Sequence, residues 1–485
     1  MNSSDRDPVE DFFERERNQI VSQHGNDVHW QGIVRQARPH RRSRLLGYAA
    51  GVAAAGLVIG GITYGAVLHN RAAPLNPATN GGRTAISTPR PIATGEPTPG
   101  ARARAAAAAA AAAKAAADAR AAAEEAMVLK SFATMSISNV GQGNIFVFGS
   151  SNCGSAGRCP VLVGSTDNGR TWQLLSSFKS SPVPDAPTRD GVVMQMHGLS
   201  QVRFANAKIG WVFGADVQYT TDGGKTFRPS GHLGHDVTDI ETDGSQVIVA
   251  SADGCATRPC TGAYHVARAS IGAAAATTEV GTGVAGAVLD TLRVVFDAKQ
   301  AYLSPQWVGP PTSGFEPQRI TSGGLQPLGP LGVRCGEGRN PDIIATADPQ
   351  GGLFALCPSL GGGAAGSSGM DVFISNNEGK SWVPVSSGAL ILVNSGSRSF
   401  AAANAHDLIA VSAGDPALHG SIQVSHDGGR SWHSPSSPPP MPTNGWAWVG
   451  APRGKTYYAI SADAVPEFWQ SDDSGETWTK VGLTS

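Results

Sequence analysis

The stretch "VGSTDNGRTWQLL", from Val163 to Leu175, decides the fold because its pattern of Ser, Asp, Gly, Thr and Trp recurs along the chain. Near copies follow as "YTTDGGKTFRP", "ISNNEGKSWVP", "VSHDGGRSWHS" and "QSDDSGETWTK". Aligned on the third residue of each motif, the copies are 55, 155, 50 and 46 residues apart. The long interval is about three times the others, so it has room for two units without the motif. The spacing therefore predicts seven units.

Each motif follows a short apolar run such as "PVLVGS", "DVFISN" or "SIQVSH", which predicts a β-strand leading into a tight turn. Within that turn the Asp side chain can accept backbone N–H groups, and the Gly tolerates positive φ. We expect the aromatic residue to pack into the interface with the next unit. At Asn377 the amide oxygen can still accept a hydrogen bond. The structural residues predicted on this basis are Asp167, Gly169, Trp172, Asp222, Gly224, Phe227, Asn377, Gly379, Trp382, Asp427, Gly429, Trp432, Asp473, Gly475 and Trp478.

These motifs resemble the Asp-box, or BNR, repeat of the sialidase-like β-propeller superfamily, and the resemblance covers roughly residues 131–485. It implies an all-β, seven-bladed β-propeller; six blades, as in sialidases, are the alternative. Blades three and four lack the motif. A looser resemblance links "IGWVFGADVQYTTDGG" to photosystem assembly-factor propellers, in which Gly210 and Trp211 would open a second strand.

A transmembrane helix is predicted over residues 45–68, which carry no charge and are long enough to cross a hydrocarbon core of roughly 30 Å. Five arginines precede this stretch within residues 35–44, so the positive-inside rule leaves residues 1–44 as a basic cytoplasmic tail. That tail either docks a cytoplasmic partner or is simply solvated. A cleaved signal peptide is the alternative reading, although 44 preceding residues are too many for its charged region. GxxxG spacings within the span would permit a dimer.

Two connecting segments follow the span. Residues 69–100 are rich in Pro, Thr and Gly, which predicts an extended linker. Residues 101–130 are dominated by Ala, the best helix former, which predicts a helical stalk. We therefore expect a bacterial protein that crosses the cell membrane once, with residues 131–485 outside the cytoplasm.

All six cysteines lie at or after residue 153. Cys153 and Cys159, and Cys255 and Cys260, are spaced as stapled hairpin loops in an oxidising compartment. We also expect a disulfide between Cys335 and Cys357. Zinc or free thiols are the alternative, but neither close pair has the spacing of a common zinc site.

Composition and missing motifs limit the function. A formal net charge of −1 gives no drive toward nucleic acid. The Phe/Tyr-Arg-Ile-Pro element of enzymatic sialidases is absent before the first motif, and no phosphate-binding, HExxH or GxSxG element appears. The sequence predicts no cofactor, no metal and no catalytic residue.

Candidate ligand contacts lie on the face opposite the motif turns, where the strand 2–3 loops and the links between blades gather. They are Arg158, Arg189, Asp190, Arg258, His419 and Trp446. The predicted function is a non-catalytic module that binds an envelope polysaccharide or a surface protein. A sialidase-like glycoside hydrolase and an assembly factor for a membrane complex are the alternatives.

Overall fold

The computed structural model describes residues 99–183, 198–230, 236–255, 260, 262–271, 277–284, 289–297, 300–307, 317–331, 342–346, 352–359, 367–393, 398–412, 422–453 and 455–483. Within them, one helix precedes seven antiparallel sheets. The predicted span over residues 45–68, the tail and most of the linker lie outside the described residues. In the part of the chain that the structure describes, no helix is long and apolar enough to cross a bilayer.

Each sheet is a meander in which strands that follow one another along the chain pair as neighbours. Blade one contains β1 (Ala133–Gly141), β2 (Asn144–Asn152), β3 (Arg158–Ser165) and β4 (Gln173–Ser177). Blade two contains β5 (Leu199–Phe204), β6 (Gly210–Gly214), β7 (Val217–Thr220) and β8 (Arg228–Pro229). Blade three contains β9 (Val237–Thr242), β10 (Gln246–Ala252), β11 (Ala263–Ser270) and β12 (Thr278–Val284). Blade four contains β13 (Leu289–Phe296), β14 (Ala301–Trp307), β15 (Gln318–Thr321) and β16 (Gly324–Pro327).

The remaining blades continue the pattern. Blade five contains β17 (Asp342–Ala345), β18 (Leu353–Pro358), β19 (Ser367–Ser375) and β20 (Val383–Val393). Blade six contains β21 (Arg398–Ala402), β22 (Leu408–Ser412) and β23 (Gln423–Ser425). Blade seven contains β24 (Trp446–Arg453), β25 (Thr456–Ser461), β26 (Glu467–Ser471) and β27 (Thr479–Gly482).

The first strand of each blade lies innermost and contacts the first strands of both neighbours, and β1 contacts β24. The ring is therefore closed, and the protein is a seven-bladed β-propeller. This excludes the six-bladed alternative. Blades three and four occupy the long interval without the motif.

Side chains link inner strands that are too far apart to pair. Ser136 and Ser138 of β1 accept backbone N–H groups of Val202 and Phe204 in β5, at 3.2 and 2.9 Å. Ser399 of β21 likewise bonds both backbone groups of Val449 in β24. Buried backbone groups need such partners, so small polar residues recur on the inner strands.

The motif forms the turn between strands three and four, here named the repeated turn. In blade one, Asp167 Oδ1 accepts the backbone N–H groups of Arg170 and Thr171 at 3.0 and 2.9 Å, and its Oδ2 accepts the Thr171 hydroxyl at 2.6 Å. The Ser165 hydroxyl accepts the Gly169 N–H at 2.8 Å. These polar groups therefore bond within the turn and stabilise it.

Blade five shows the turn with an amide in place of the carboxylate. Asn377 Oδ1 accepts the Ser381 N–H at 3.0 Å. Its Nδ2 donates to Ser381 Oγ at 2.8 Å, so the bond to the hydroxyl runs in the opposite direction from that in blade one. An amide presents only one acceptor oxygen, which explains the reversal.

The aromatic residue of each repeated turn packs on the preceding blade, so the expectation that it packs against the next blade is wrong. Phe227 of blade two meets Phe178 of blade one, with ring centroids 5.1 Å apart. Trp382 of blade five donates from its ring N–H to the carbonyl of Gly329 in blade four at 3.0 Å. Because each sheet twists, its outer hairpin lies over the blade before it.

Helix α1 (Pro99–Lys130) is exposed along its Ala-rich length and joins the propeller only through its last turns. Val128 is buried in the cluster that also holds Phe132 of the following turn and Phe468 of blade seven. Glu125 accepts the Leu174 N–H at 2.8 Å. The end of the helix is thus part of the packed body, near the junction that closes the ring.

Candidate functional site

The ligand contacts predicted from the sequence are not brought together by the described residues. Arg189, Asp190, Arg258 and His419 lie outside them. Arg158 is exposed, but its guanidinium is bound to its own hairpin through the carbonyl and hydroxyl of Ser150, at 3.1 and 2.7 Å. Trp446 is 1% exposed and belongs to the core between blades six and seven, so its ring is covered by protein.

Two of the predicted disulfides are present in the described residues. Cys153 pairs with Cys159 across the β2–β3 loop, with their Cα atoms 5.9 Å apart. Cys255 pairs with Cys260 between β10 and β11, with a Cα separation of 4.2 Å. Both loops connect the second and third strands of their blade, so they lie on the face opposite the repeated turns. Cys335 lies outside the described residues, so its disulfide with Cys357 stays a prediction.

A cleft opens at the junction of blades three and four, where the repeated turn is missing. In blade four, Thr321 pairs directly with Gly324, so only Ser322 and Gly323 connect the last two strands. Blade one uses residues 166–172 for the same connection and places Trp172 against its neighbour. After the shortened turn of blade four, Leu325 packs on Gly281 of blade three where the blades with the motif place an aromatic residue.

This interblade cleft has a volume of about 360 Å³. Its lining is mostly polar and comes from both blades: Gln246, Arg268, Gln300, Ala301, Arg319, Ile320, Thr321 and Ser322. No carboxylate is among these residues. The two guanidinium groups would repel a metal cation and attract an anion.

The two arginines differ in how they are held. Arg319 donates to Glu378 Oε2 and to Gln326 Oε1, each at 2.6 Å, so its charge is balanced and its position fixed. Arg268 is half-buried, and its Nε is covered yet has no hydrogen-bond partner. Among the ion pairs of the described residues, none includes Arg268. Arg268 is therefore the arginine of this cleft whose charge is free to attract an anionic ligand.

A second group of charged residues lies on the inner strands of blades two to four. Arg203 of β5 forms an ion pair with Glu241 of β9, with Nη2 and Oε1 2.5 Å apart. Asp239, on the same face of β9, accepts the N–H of Val294 in β13 at 2.8 Å. Burial raises the pKa of both acids, and that of Glu241 to about 7, against the opposing effect of Arg203. Acids with a raised pKa occur both in catalytic sites and in buried ion-pair networks, so this pair on one inner strand fits either.

Sequence reasoning missed Arg268 and Arg319 because it looked for ligands among the loops of the opposite face. The available signal was the missing motif in blades three and four. Where the motif is missing, the outer strands of blades three and four present polar side chains to the cleft between them.

The known structures that resemble this chain are distant. No protein-family model matches the chain, and no curated protein matches it. YCF48 bound to D1 peptide is similar in structure, at 13% identity over 70% of this chain and 93% of that one, with a TM-score of 0.43. YCF48 from Cyanidioschyzon merolae is 14% identical, covers 70% and 96%, and has a TM-score of 0.43. An ancestral GH74 enzyme is 13% identical over 74% of this chain, which spans 47% of the enzyme's length, with a TM-score of 0.48.

Proposed function

We propose that this protein is a membrane-anchored, extracytoplasmic propeller that binds an anionic group of an envelope polysaccharide or a surface protein without converting it. The observation that carries the proposal is the half-buried Arg268 in the cleft between blades three and four, which forms no ion pair with a described residue and whose Nε has no hydrogen-bond partner. Arg319 lines the same cleft, but its guanidinium is already bonded to Glu378 and Gln326. A guanidinium group such as that of Arg268 suits a carboxylate, sulfate or phosphate.

The proposed location rests on three features of the chain. Residues 45–68 are uncharged and follow a run of arginines, and the linker and helix that come next separate them from the propeller. Two disulfides join described cysteines, and structural disulfides persist in oxidising compartments. We therefore assign the propeller to the outer side of the membrane. Protease treatment of intact cells, releasing a fragment that begins near Ser131, is the expected result; full protection of the propeller would contradict it.

We also propose membership in the Asp-box superfamily. The support is that the carboxylate, hydroxyl and glycine make the same hydrogen bonds in blades one, two, six and seven. The bond from the glycine N–H to the leading hydroxyl recurs in all five turns.

The binding proposal is tested with the full chain in detergent micelles and two matched pairs of probes. One pair is a uronic-acid polysaccharide and its carboxyl-reduced form; the other is a peptide with a free C-terminal carboxylate and its amide. We expect the carboxylate form of one pair to bind at least tenfold more tightly than its neutral form. Arg268→Gln should remove that preference, whereas the control Arg228→Gln, an exposed arginine on β8, should keep it.

The pair that responds identifies the partner. Preference for the polysaccharide supports an envelope glycan, and preference for the peptide supports a surface protein or an assembly role, as the D1 peptide bound by YCF48 illustrates for that protein. Equal binding of charged and neutral probes, or an Arg268→Gln variant indistinguishable from wild type, would contradict the proposal.

Glycoside hydrolysis is the second candidate, favoured by Asp239 and Glu241 on one inner strand with raised pKa values. A general acid needs such a shift. We rank it lower because both acids are already bonded within the fold, Glu241 to Arg203 and Asp239 to Val294. Turnover of aryl glycosides that disappears in Glu241→Gln, with folding intact, would place this candidate first.

A further inference from the structure

Two histidines of blade six and one glutamate of blade seven converge at the face of the repeated turns. His426 Nε2 lies 2.8 Å from Glu476 Oε1, and His433 Nε2 lies 2.7 Å from the same oxygen. The two imidazole rings have centroids 5.5 Å apart. These three ligand atoms all lie within 4.8 Å of one another.

Rigid parts of the fold hold the three side chains. His426 lies within the repeated turn of blade six, between Ser425 and Asp427, which bond each other at 2.8 Å. His433 exchanges two backbone hydrogen bonds with Val424, at 2.9 and 3.0 Å.

Glu476 belongs to the repeated turn of blade seven, which packs on blade six as every such turn packs on the preceding blade. Its second oxygen, Oε2, accepts the Ser436 N–H at 2.9 Å. The convergence thus follows from the same geometry that places Glu378 of blade five on Arg319 of blade four.

A carboxylate behind His426 completes the arrangement. Asp407 Oδ1 lies 2.8 Å from His426 Nδ1. Its Oδ2 accepts from Asn404 Nδ2 at 2.7 Å and from Ser474 Oγ at 3.0 Å. Histidines that bind metals commonly use their second ring nitrogen in this way, which orients the ring and raises the basicity of the ligating nitrogen.

The geometry is close to that of a metal centre. Ligands at about 2.0–2.1 Å from a tetrahedral ion lie about 3.3 Å from each other, so a small outward shift of Glu476 Oε1 would admit one. The side chains of Glu476, His426 and His433 are 24%, 35% and 49% exposed, which leaves solvent access for a fourth ligand. Two imidazoles and a carboxylate are a donor set that suits zinc and similar transition ions.

We propose that His426, His433 and Glu476 bind one divalent transition-metal ion of the zinc type, with water as the fourth ligand, and that this ion clamps blade six to blade seven. Two ligands come from blade six and one from blade seven, so the ion crosses a blade junction. A ligand that binds only the folded state raises stability by mass action. The site lies at the turns and is separate from the arginine-lined cleft of blades three and four.

The experiment uses the untagged full chain in detergent micelles, first stripped with EDTA. Zinc is then titrated calorimetrically, and cobalt(II) is titrated in parallel to read coordination from its visible absorption. We expect one ion per chain, a cobalt spectrum of low coordination number, and a higher unfolding temperature with zinc. His433→Ala should weaken zinc binding at least tenfold and abolish the thermal shift.

The matched control is His406→Ala, which removes an exposed histidine near blade six that is no member of the cluster. It should bind zinc as wild type does. If His426→Ala fails to fold, the half-exposed His433 still allows the test. Binding of no ion, or zinc affinities for His433→Ala and His406→Ala that equal the wild-type value, would overturn the proposal and leave these residues as a hydrogen-bonded network.

Discussion

Trp172 of the first blade meets Phe468 of the last blade edge-on, with ring centroids 5.9 Å apart and ring planes at 89°. This contact belongs to the cluster that also contains Val128 of the helix and Leu483 near the C-terminal end of the described chain. No strand is shared between the two blades, because blade one is built from β1–β4 and blade seven from β24–β27. Side-chain packing therefore closes the ring, assisted by a hydrogen bond from the Thr134 N–H to the Val465 carbonyl at 3.2 Å.

Trp172→Ala should destabilise the propeller by about 2 kcal/mol, because it removes an aromatic contact and leaves space at the closing junction. Trp172→Phe should lose less. The indole N–H of Trp172 is buried without a partner, so the phenyl ring keeps the packing without that cost. Urea unfolding followed by tryptophan fluorescence and circular dichroism measures both. The control is Val383→Ala, at a 60% exposed position, which should stay within about 0.5 kcal/mol of wild type.

Gly224→Ala should cost at least about 1 kcal/mol more than Gly154→Ala. Both glycines have positive φ, at 86° and 70°. An added Cβ at Gly224 would lie 2.6 Å from Leu162 of blade one, whereas at Gly154 it would meet nothing within 4 Å. The difference in unfolding free energy between the two variants isolates the packing of the turn against the preceding blade. Equal losses would show that backbone strain alone demands glycine there.

Asp222→Asn should lower the urea midpoint at neutral pH and have little effect near pH 2. The Thr226 hydroxyl is the largest cause that lowers the pKa of Asp222, to about 2 from an ordinary value of 3.8. A carboxyl whose folded-state pKa is lowered contributes stability above its unfolded value and loses it as pH falls from 3.8 toward 2. The two midpoint curves should therefore converge in acid. A constant offset between them would contradict this account.

Glu241→Gln should flatten the loss of stability between pH 5 and pH 8. Burial raises the pKa of Glu241 to about 7 from an ordinary value of 4.5. A carboxyl whose pKa is higher in the folded state than in the unfolded state contributes its full stability only at a pH below the unfolded-state pKa. This contribution is lost as pH rises from 4.5 to 7. The difference is of the order of 2 kcal/mol across that range. The control is Glu124→Gln, which removes a 53% exposed carboxyl that pairs with Lys179 and with no histidine, and it should retain the wild-type slope.

The sequence by itself determined the turn chemistry and the number of blades. A hydroxyl, a carboxylate and a glycine at fixed offsets can satisfy one another within eight residues, so the pattern that predicts the turn also contains the atoms that form it. The spacing of the motif then predicted the number of blades, including the two that lack the motif. The disulfides between residues 153 and 159, and between 255 and 260, could be predicted from the sequence for the same reason, because the paired cysteines are close in the chain.

Only the tertiary structure decided which blade each turn packs on and where the candidate sites lie. The direction in which an outer hairpin lies depends on the twist of the whole sheet, so Trp172 reaches Phe468, about 300 residues away, and Glu476 reaches His426. Arg268 and Arg319 share a cleft because β11 of blade three and β15 of blade four lie side by side in the ring. Such sites form from residues on separate blades, and no local pattern in the chain records that they meet.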